Sequence, residues 1–232
     1  MLTTLLIASL ILDEPHCDCA EKAALMKEMR LMFYVKNPDA PVLPEAESSK
    51  IQAGHLEFLE DQRKKGNAFL IGPLEHPTKR GIALYAFDDT AKVKEILTND
   101  PAMKAGRFIF KAFPALIDPV QIKKVPKFMD HTSHWVILFK RTAKTEKVGF
   151  IPADDNAAHN YMHQQMEAKK LHFTAKIMGT FELESFWVLK DADESSAKKI
   201  ATSHPCVKVG EWEFETVKWW TAKGNFTSEG SK

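Results

Sequence analysis

Thr98-Asn99-Asp100-Pro101-Ala102-Met103-Lys104-Ala105-Gly106 decides the reading of this chain, because it returns as Thr202-Ser203-His204-Pro205-Cys206-Val207-Lys208-Val209-Gly210. Thr, Pro, Lys and Gly keep their places at an offset of 104 residues. The same offset carries Lys94, Ile96 and Phe110 onto Lys198, Ile200 and Phe214, and Phe69 and Asp89 onto Phe173 and Asp193. It also carries His55 onto His159, Ala53 onto Ala157 and Lys36 onto Lys140. A register held without a gap over such a span predicts two copies of one domain. Solenoid repeats, at about 20–50 residues, are far shorter.

Around that stretch the elements follow from hydrophobic period and punctuation. Arg30 to Lys36 is a short apolar, partly aromatic run and reads as a buried strand. From Glu45 to Lys65 the pattern is helical, with Ile51, His55, Phe58 and Leu59 on one face, so His55 is expected to point inward. Ala68–Ile71, closed by Gly72-Pro73, and Gly81–Phe87 read as two further strands. Asp89 caps a helix running to about Thr98, the Asp100-Pro101 step turns the chain, and Arg107–Phe113 is the last strand. In the second copy the strands are His134–Lys140, Phe173–Ile177, Glu184–Leu189 and Glu211–Trp220, and the helices Ala157–Lys170 and Asp193–Thr202.

Strand, helix, strand, strand, helix, strand is the split βαβ order of the ferredoxin-like fold. Residues 30–117 form the first repeat, 118–133 a linker, 134–220 the second repeat and 221–232 a polar tail expected to fray. A four-stranded sheet with both helices on one side leaves its other side bare. The expected architecture is therefore α+β: two tandem βαββαβ repeats whose sheets face each other and close as an intrachain pseudo-dimeric barrel. Trp187, Trp212, Trp219 and Trp220 are expected to fill the space between the sheets.

Composition narrows the function classes. The chain has 232 residues, is 44% apolar and 27% charged, and carries a formal net charge of +1. Such a balance gives no electrostatic case for nucleic acid or an anionic membrane. Three cysteines, Cys17, Cys19 and Cys206, are too few for a disulfide scaffold and lack a CxxC pair for structural zinc. No GxGxxG, P-loop, GxSxG or HExxH pattern occurs, so nucleotide, dinucleotide, serine-hydrolase and zincin readings have no support. Leu2–Leu12 has the length of a signal-peptide core, and residues 1–20 read as a candidate signal peptide cleaved near Cys19. That makes the mature chain secreted or periplasmic, with no membrane contact. No Lys or Arg precedes the run, so a cytoplasmic protein with a short N-terminal extension stays as the alternative.

The ordered combination of an inward His55, Gly72-Pro73 after the second strand, and Asp100-Pro101 with Gly106 before the last strand resembles the YCII-related domain family. The resemblance covers Arg30 to about Ile117 and reaches His134–Trp220 only through the register between the copies. It implies the dimeric α+β-barrel form of the ferredoxin-like fold. It also implies a His–Asp active site, His55 and Asp100, with Gly72 and Pro73 lining a substrate pocket. Some family members act as lyase-like enzymes on small hydroxylated aromatics. The second copy departs from the pattern: His204 stands at the Asp100 position, and Lys176 and Ile177 stand where Gly72 and Pro73 are expected.

A carboxylate beside a histidine fixes its tautomer and holds the imidazolium, so the dyad suits general acid–base chemistry of lyase or hydrolase type on a small-molecule substrate. Against that stands a plain reading, in which His55 is a core histidine and Asp100 a turn or cap residue. Arg80 is a candidate anchor for an anionic substrate, or a surface charge. Two other functions stay open. One is a non-catalytic barrel that binds a small apolar or aromatic ligand. The other is a metal site of His159, His163 and His204, since His159 and His163 are one helical turn apart. The dyad itself requires no cofactor, and the candidate assembly is a homodimer of pseudo-dimers.

Overall fold

Strand β1, Lys27–Lys36, shows why a barrel forms: its alternate residues enter two different cores. Leu31 and Phe33 join one apolar cluster, while Met32 and Tyr34 join another. A strand with two buried faces sits between a helix layer and a second sheet surface. This computed structural model describes residues 26–125, 130–143, 155–180 and 182–229. The candidate signal peptide, with His16, Cys17 and Cys19, lies outside the described residues, as does part of the linker.

After β1 come helix α1 (Glu45–Lys64), strands β2 (Ala68–Pro73) and β3 (Lys79–Tyr85), helices α2 (Thr90–Leu97) and α3 (Pro101–Lys104), and strand β4 (Phe108–Ile117). The second half repeats the order: β5 (His131–Arg141), α4 (Asp155–Glu167), β6 (Leu171–Ile177), β7 (Ser185–Leu189), α5 (Glu194–Thr202), α6 (Pro205–Lys208) and β8 (Trp212–Ala222). All eight strands form one sheet in the order β2-β3-β1-β4-β6-β7-β5-β8, with every pairing antiparallel. Each half thus has its first strand central and its second and fourth strands at the edges.

The edges of one half meet those of the other. β4 pairs with β6 through Ala115–Ile177, Leu116–Lys176 and Ile117–Ala175. β2 meets β8 at the opposite seam, where Leu74 bridges Trp219 and the Glu75 N–H donates to Lys218 O at 2.8 Å. The Trp219 indole N–H donates to Gly72 O, and the Thr221 hydroxyl to Ile71 O. The two sheets therefore face each other as expected and are also joined edge to edge. Inside the closed strands lies a single apolar cluster that includes Leu31, Phe33, Ile82, Leu84, Val136, Leu138, Phe186 and Trp219.

Strand pairing corrects the gapless register. Tyr34 lies opposite Gly81 and Phe110, whereas Phe139 lies opposite Ser185 and Phe214. The third and fourth strands keep the offset of 104, but the first strand is offset by 105, so Lys36 corresponds to Arg141 and not Lys140. The second half therefore has one residue fewer than the first between its first and third strands. The bulge between Phe69 and Gly72 in β2 likewise makes Pro73, and not Gly72, the counterpart of Lys176, because these face Gly81 and Ser185.

Three further expectations change. Of the four tryptophans expected between the sheets, only Trp219 joins the cluster inside the strands; Trp187 and Trp212 face the helices and Trp220 is half-buried. The period of two along each strand sends neighbours to opposite faces. The linker is shorter than expected, since β5 begins at His131. The tail does not fray over its described length: Thr221 and Ala222 belong to β8, Phe226 is fully buried, and Thr227 N–H donates to Gln121 O.

Candidate functional site

Asp100 is the N-cap of α3, and its Oδ1 accepts from the Ala102 N–H at 2.9 Å. Pro101 supplies the first helical position, where its missing N–H costs nothing. The Asp-Pro step therefore starts a short helix as well as turning the chain, and that helix was not legible in so short a run. His55 lies on the inner face of α1 with Leu59 and Gln62. Its Nδ1 stands 2.9 Å from both oxygens of Asp100. An ionised carboxylate can only accept, so Nδ1 carries the proton and Nε2 keeps its lone pair.

Burial makes this pair strong. Asp100 is 0% exposed and His55 7%. The ring of His55 is held edge-on by Tyr34 from β1, at 5.2 Å between centroids, and by Phe108 from β4, at 5.6 Å. Gly54, the neighbour of His55 on α1, leaves space for the Pro101 ring; a Cβ there would come within 3.1 Å of it. Two residues that the sequence analysis did not single out, Tyr34 and Tyr85, lie beside the pair. Both are buried, and neither hydroxyl reaches a partner at hydrogen-bonding geometry. Burial first, and then the nearby Tyr85 hydroxyl and Asp100 charge, push the Tyr34 phenol well above its ordinary value. Burial does the same to Tyr85. Both are neutral at any physiological pH and lie close to the Asp100 charge. The signal for them was the aromatic run of β1 and the matching position in β3, which period-two alternation puts on the helix side.

An unbonded buried hydroxyl gives a clear expectation. Tyr34→Phe should keep the fold as stable as the parent or raise it by up to about 1 kcal/mol, read by urea unfolding. A loss larger than that would mean that the hydroxyl bonds Asp100 in solution.

The other site candidates are elsewhere. Gly72 and Pro73 lie at the seam with β8, and a Cβ on Gly72 would sit 1.6 Å from Trp220 O, so this glycine serves strand approach. Arg80 is exposed on β3, its carbonyl accepting from Leu74 N–H. His204 repeats the role of Asp100 as N-cap of α6, its Nδ1 accepting from Cys206 N–H at 3.2 Å. The ring is 1% exposed, stacked on Trp212 and flanked by Phe139, Tyr161 and Trp187. His159 is exposed beside His163 at 4.3 Å between ring centroids. Among the described residues these three do not gather as a ligand set; His134, His172 and Glu229 do. Tyr161, two places after His159, is what meets His204, because the first-helix register differs between the halves.

Residues 29–111 match the sequence profile of the YCII-related domain, spanning β1 to the start of β4 and both members of the dyad. That match, over residues 29–111, is where this chain resembles the YCII-related domain. Among curated proteins none matches the sequence. Solved structures extend the likeness to the whole barrel. A heme-binding protein from Thermus thermophilus aligns at a TM-score of 0.52 and 10% identity, covering 88% of this chain and 94% of its own. A mutant chlorite dismutase from Candidatus Nitrospira defluvii aligns at 0.52 and 11%, covering 87% and 94%. Likeness at this identity shows the fold, and the matched half and its partner half together fill it.

Proposed function

We propose that this YCII-related protein is a small-molecule enzyme of lyase or hydrolase type, in which His55 moves a proton under the orientation of Asp100. The observation that carries the reading is the two-oxygen contact of a fully buried Asp100 on His55 Nδ1. Asp100 selects the tautomer and stabilises the imidazolium once Nε2 has taken a proton from substrate; Nε2 then returns it to the leaving group. Neutral Tyr34, edge-on to the ring, blocks its rotation. Its location between aromatic rings suits a small aromatic or phenolic substrate. The heme of one structural neighbour is not carried to this chain, since nothing beyond the fold supports it.

Removing the imidazole should lower turnover about 10²- to 10⁴-fold while leaving ligand affinity in place. The experiment compares parent and His55→Ala across phenolic and lactone compounds, with circular dichroism to show that the variant is folded. Unchanged turnover in His55→Ala sinks the proposal. The low exposure of the pair favours one second reading, a barrel that binds a small ligand without transforming it. That reading wins if the parent turns over nothing while a ligand still raises its melting temperature.

A further inference from the structure

We propose that His134, His172 and Glu229 form a three-ligand site for a divalent transition metal of the zinc class, at one end of the barrel interior. One ligand atom from each residue lies within 4.8 Å of the others. His134 shares the parity of Val136 and Leu138 on β5 and so points into the strands, away from the helices. His172 occupies the bulge between Leu171 and Phe173 in β6, a device that re-aims one side chain without breaking the strand. Glu229 arrives from the tail, which folds back over the barrel through Phe226.

The details favour a ligand over a plain polar cluster. His134 is 8% exposed, and its Nε2 has no hydrogen-bonding partner in proper geometry. That nitrogen stands 3.4 Å from Glu229 Oε1. This is long for a charge-assisted hydrogen bond, but two ligands bound at about 2.0–2.1 Å to a tetrahedral ion are themselves roughly 3.3 Å apart. His172 Nδ1 meets the Ser228 hydroxyl at 2.6 Å. A hydroxyl holding the Nδ1 proton leaves Nε2 as the ligand and fixes the ring, the usual outer-shell arrangement. Lys190 in turn anchors the Ser228 carbonyl at 3.1 Å. Phe226 stacks on His172 and meets His134 edge-on, giving the site a dry wall.

Two nitrogens and one oxygen suit zinc, cobalt or nickel over magnesium or calcium, and three protein ligands leave a position open for water.

The test uses the full chain, stripped with chelator and titrated with Zn²⁺ by calorimetry and with Co²⁺ by visible absorption. One equivalent per chain is expected, with a rise in melting temperature. His172→Ala and Glu229→Gln should each weaken binding at least ~100-fold, whereas His159→Ala should leave it unchanged. Glu229→Gln keeps the shape of a partly exposed residue, so it distinguishes lost ligation from lost folding. Substoichiometric uptake by the parent, or uptake that survives Glu229→Gln, or that falls with His159→Ala, overturns the proposal.

Discussion

Replacing Gly72 by alanine should lower the melting temperature by about 10 °C. The added Cβ would lie 1.6 Å from the main-chain oxygen of Trp220 and 2.8 Å from its carbonyl carbon. Neither atom belongs to a flexible side chain, so β2 and β8 must separate, and with them the bonds from Trp219 to Gly72 and from Thr221 to Ile71. Forced overpacking combined with loss of a seam costs about 3–4 kcal/mol. At this chain length that amount corresponds to the stated shift. Gly179→Ala is the control: nothing lies within 4 Å of its Cβ, and only its φ of +69° opposes the change. That strain is worth about 1 kcal/mol. Equal shifts for the two variants, measured by thermal melting, would mean that the seam is looser than described.

The second large effect is an acid transition centred on His204. Burial among Phe139, Tyr161, Trp187 and Trp212 lowers its pKa from 6.5 to about 4. The folded ring stays neutral where the unfolded one is already protonated. Between those two values the unfolded state binds more protons, so stability rises with pH across the interval and is lost as pH falls through it. The shift corresponds to about 3 kcal/mol at most. Protonation would also end the acceptor role of Nδ1 towards Cys206 N–H. His204→Asn keeps a capping side chain and removes the titration. Urea unfolding at neutral pH and near pH ~4.5 should therefore show a smaller acid loss in the variant than in the parent; equal losses refute the assignment.

Most of the fold was legible because two signals agreed. Short continuous apolar runs located the strands, and the returning Asp100-Pro101 and His204-Pro205 stretches tied the two halves to one order of elements. The dyad was legible only through the resemblance to the YCII-related domain; the residues alone gave an inward His55, on the helical face of Leu59, and an Asp100 before a proline. What escaped detection depends on neighbours distant in sequence. Nothing local in Gly72 tells a pocket glycine from one that admits another strand. The one-residue difference between β1 and β5 shows only in which residues pair. His172 is moved by a bulge, and Glu229 by a tail whose polar composition concealed the burial of Phe226.

The two seams have a consequence for the chain's behaviour in a crowded solution. Taken alone, either half would present two bare strand edges and an uncovered apolar surface, a ready template for adding strands from other molecules. Here β4 and β8 occupy the open edges of β6 and β2. By sealing each half with the other, one polypeptide protects itself from intermolecular polymerisation, and no separate gatekeeping residues are required along those edges.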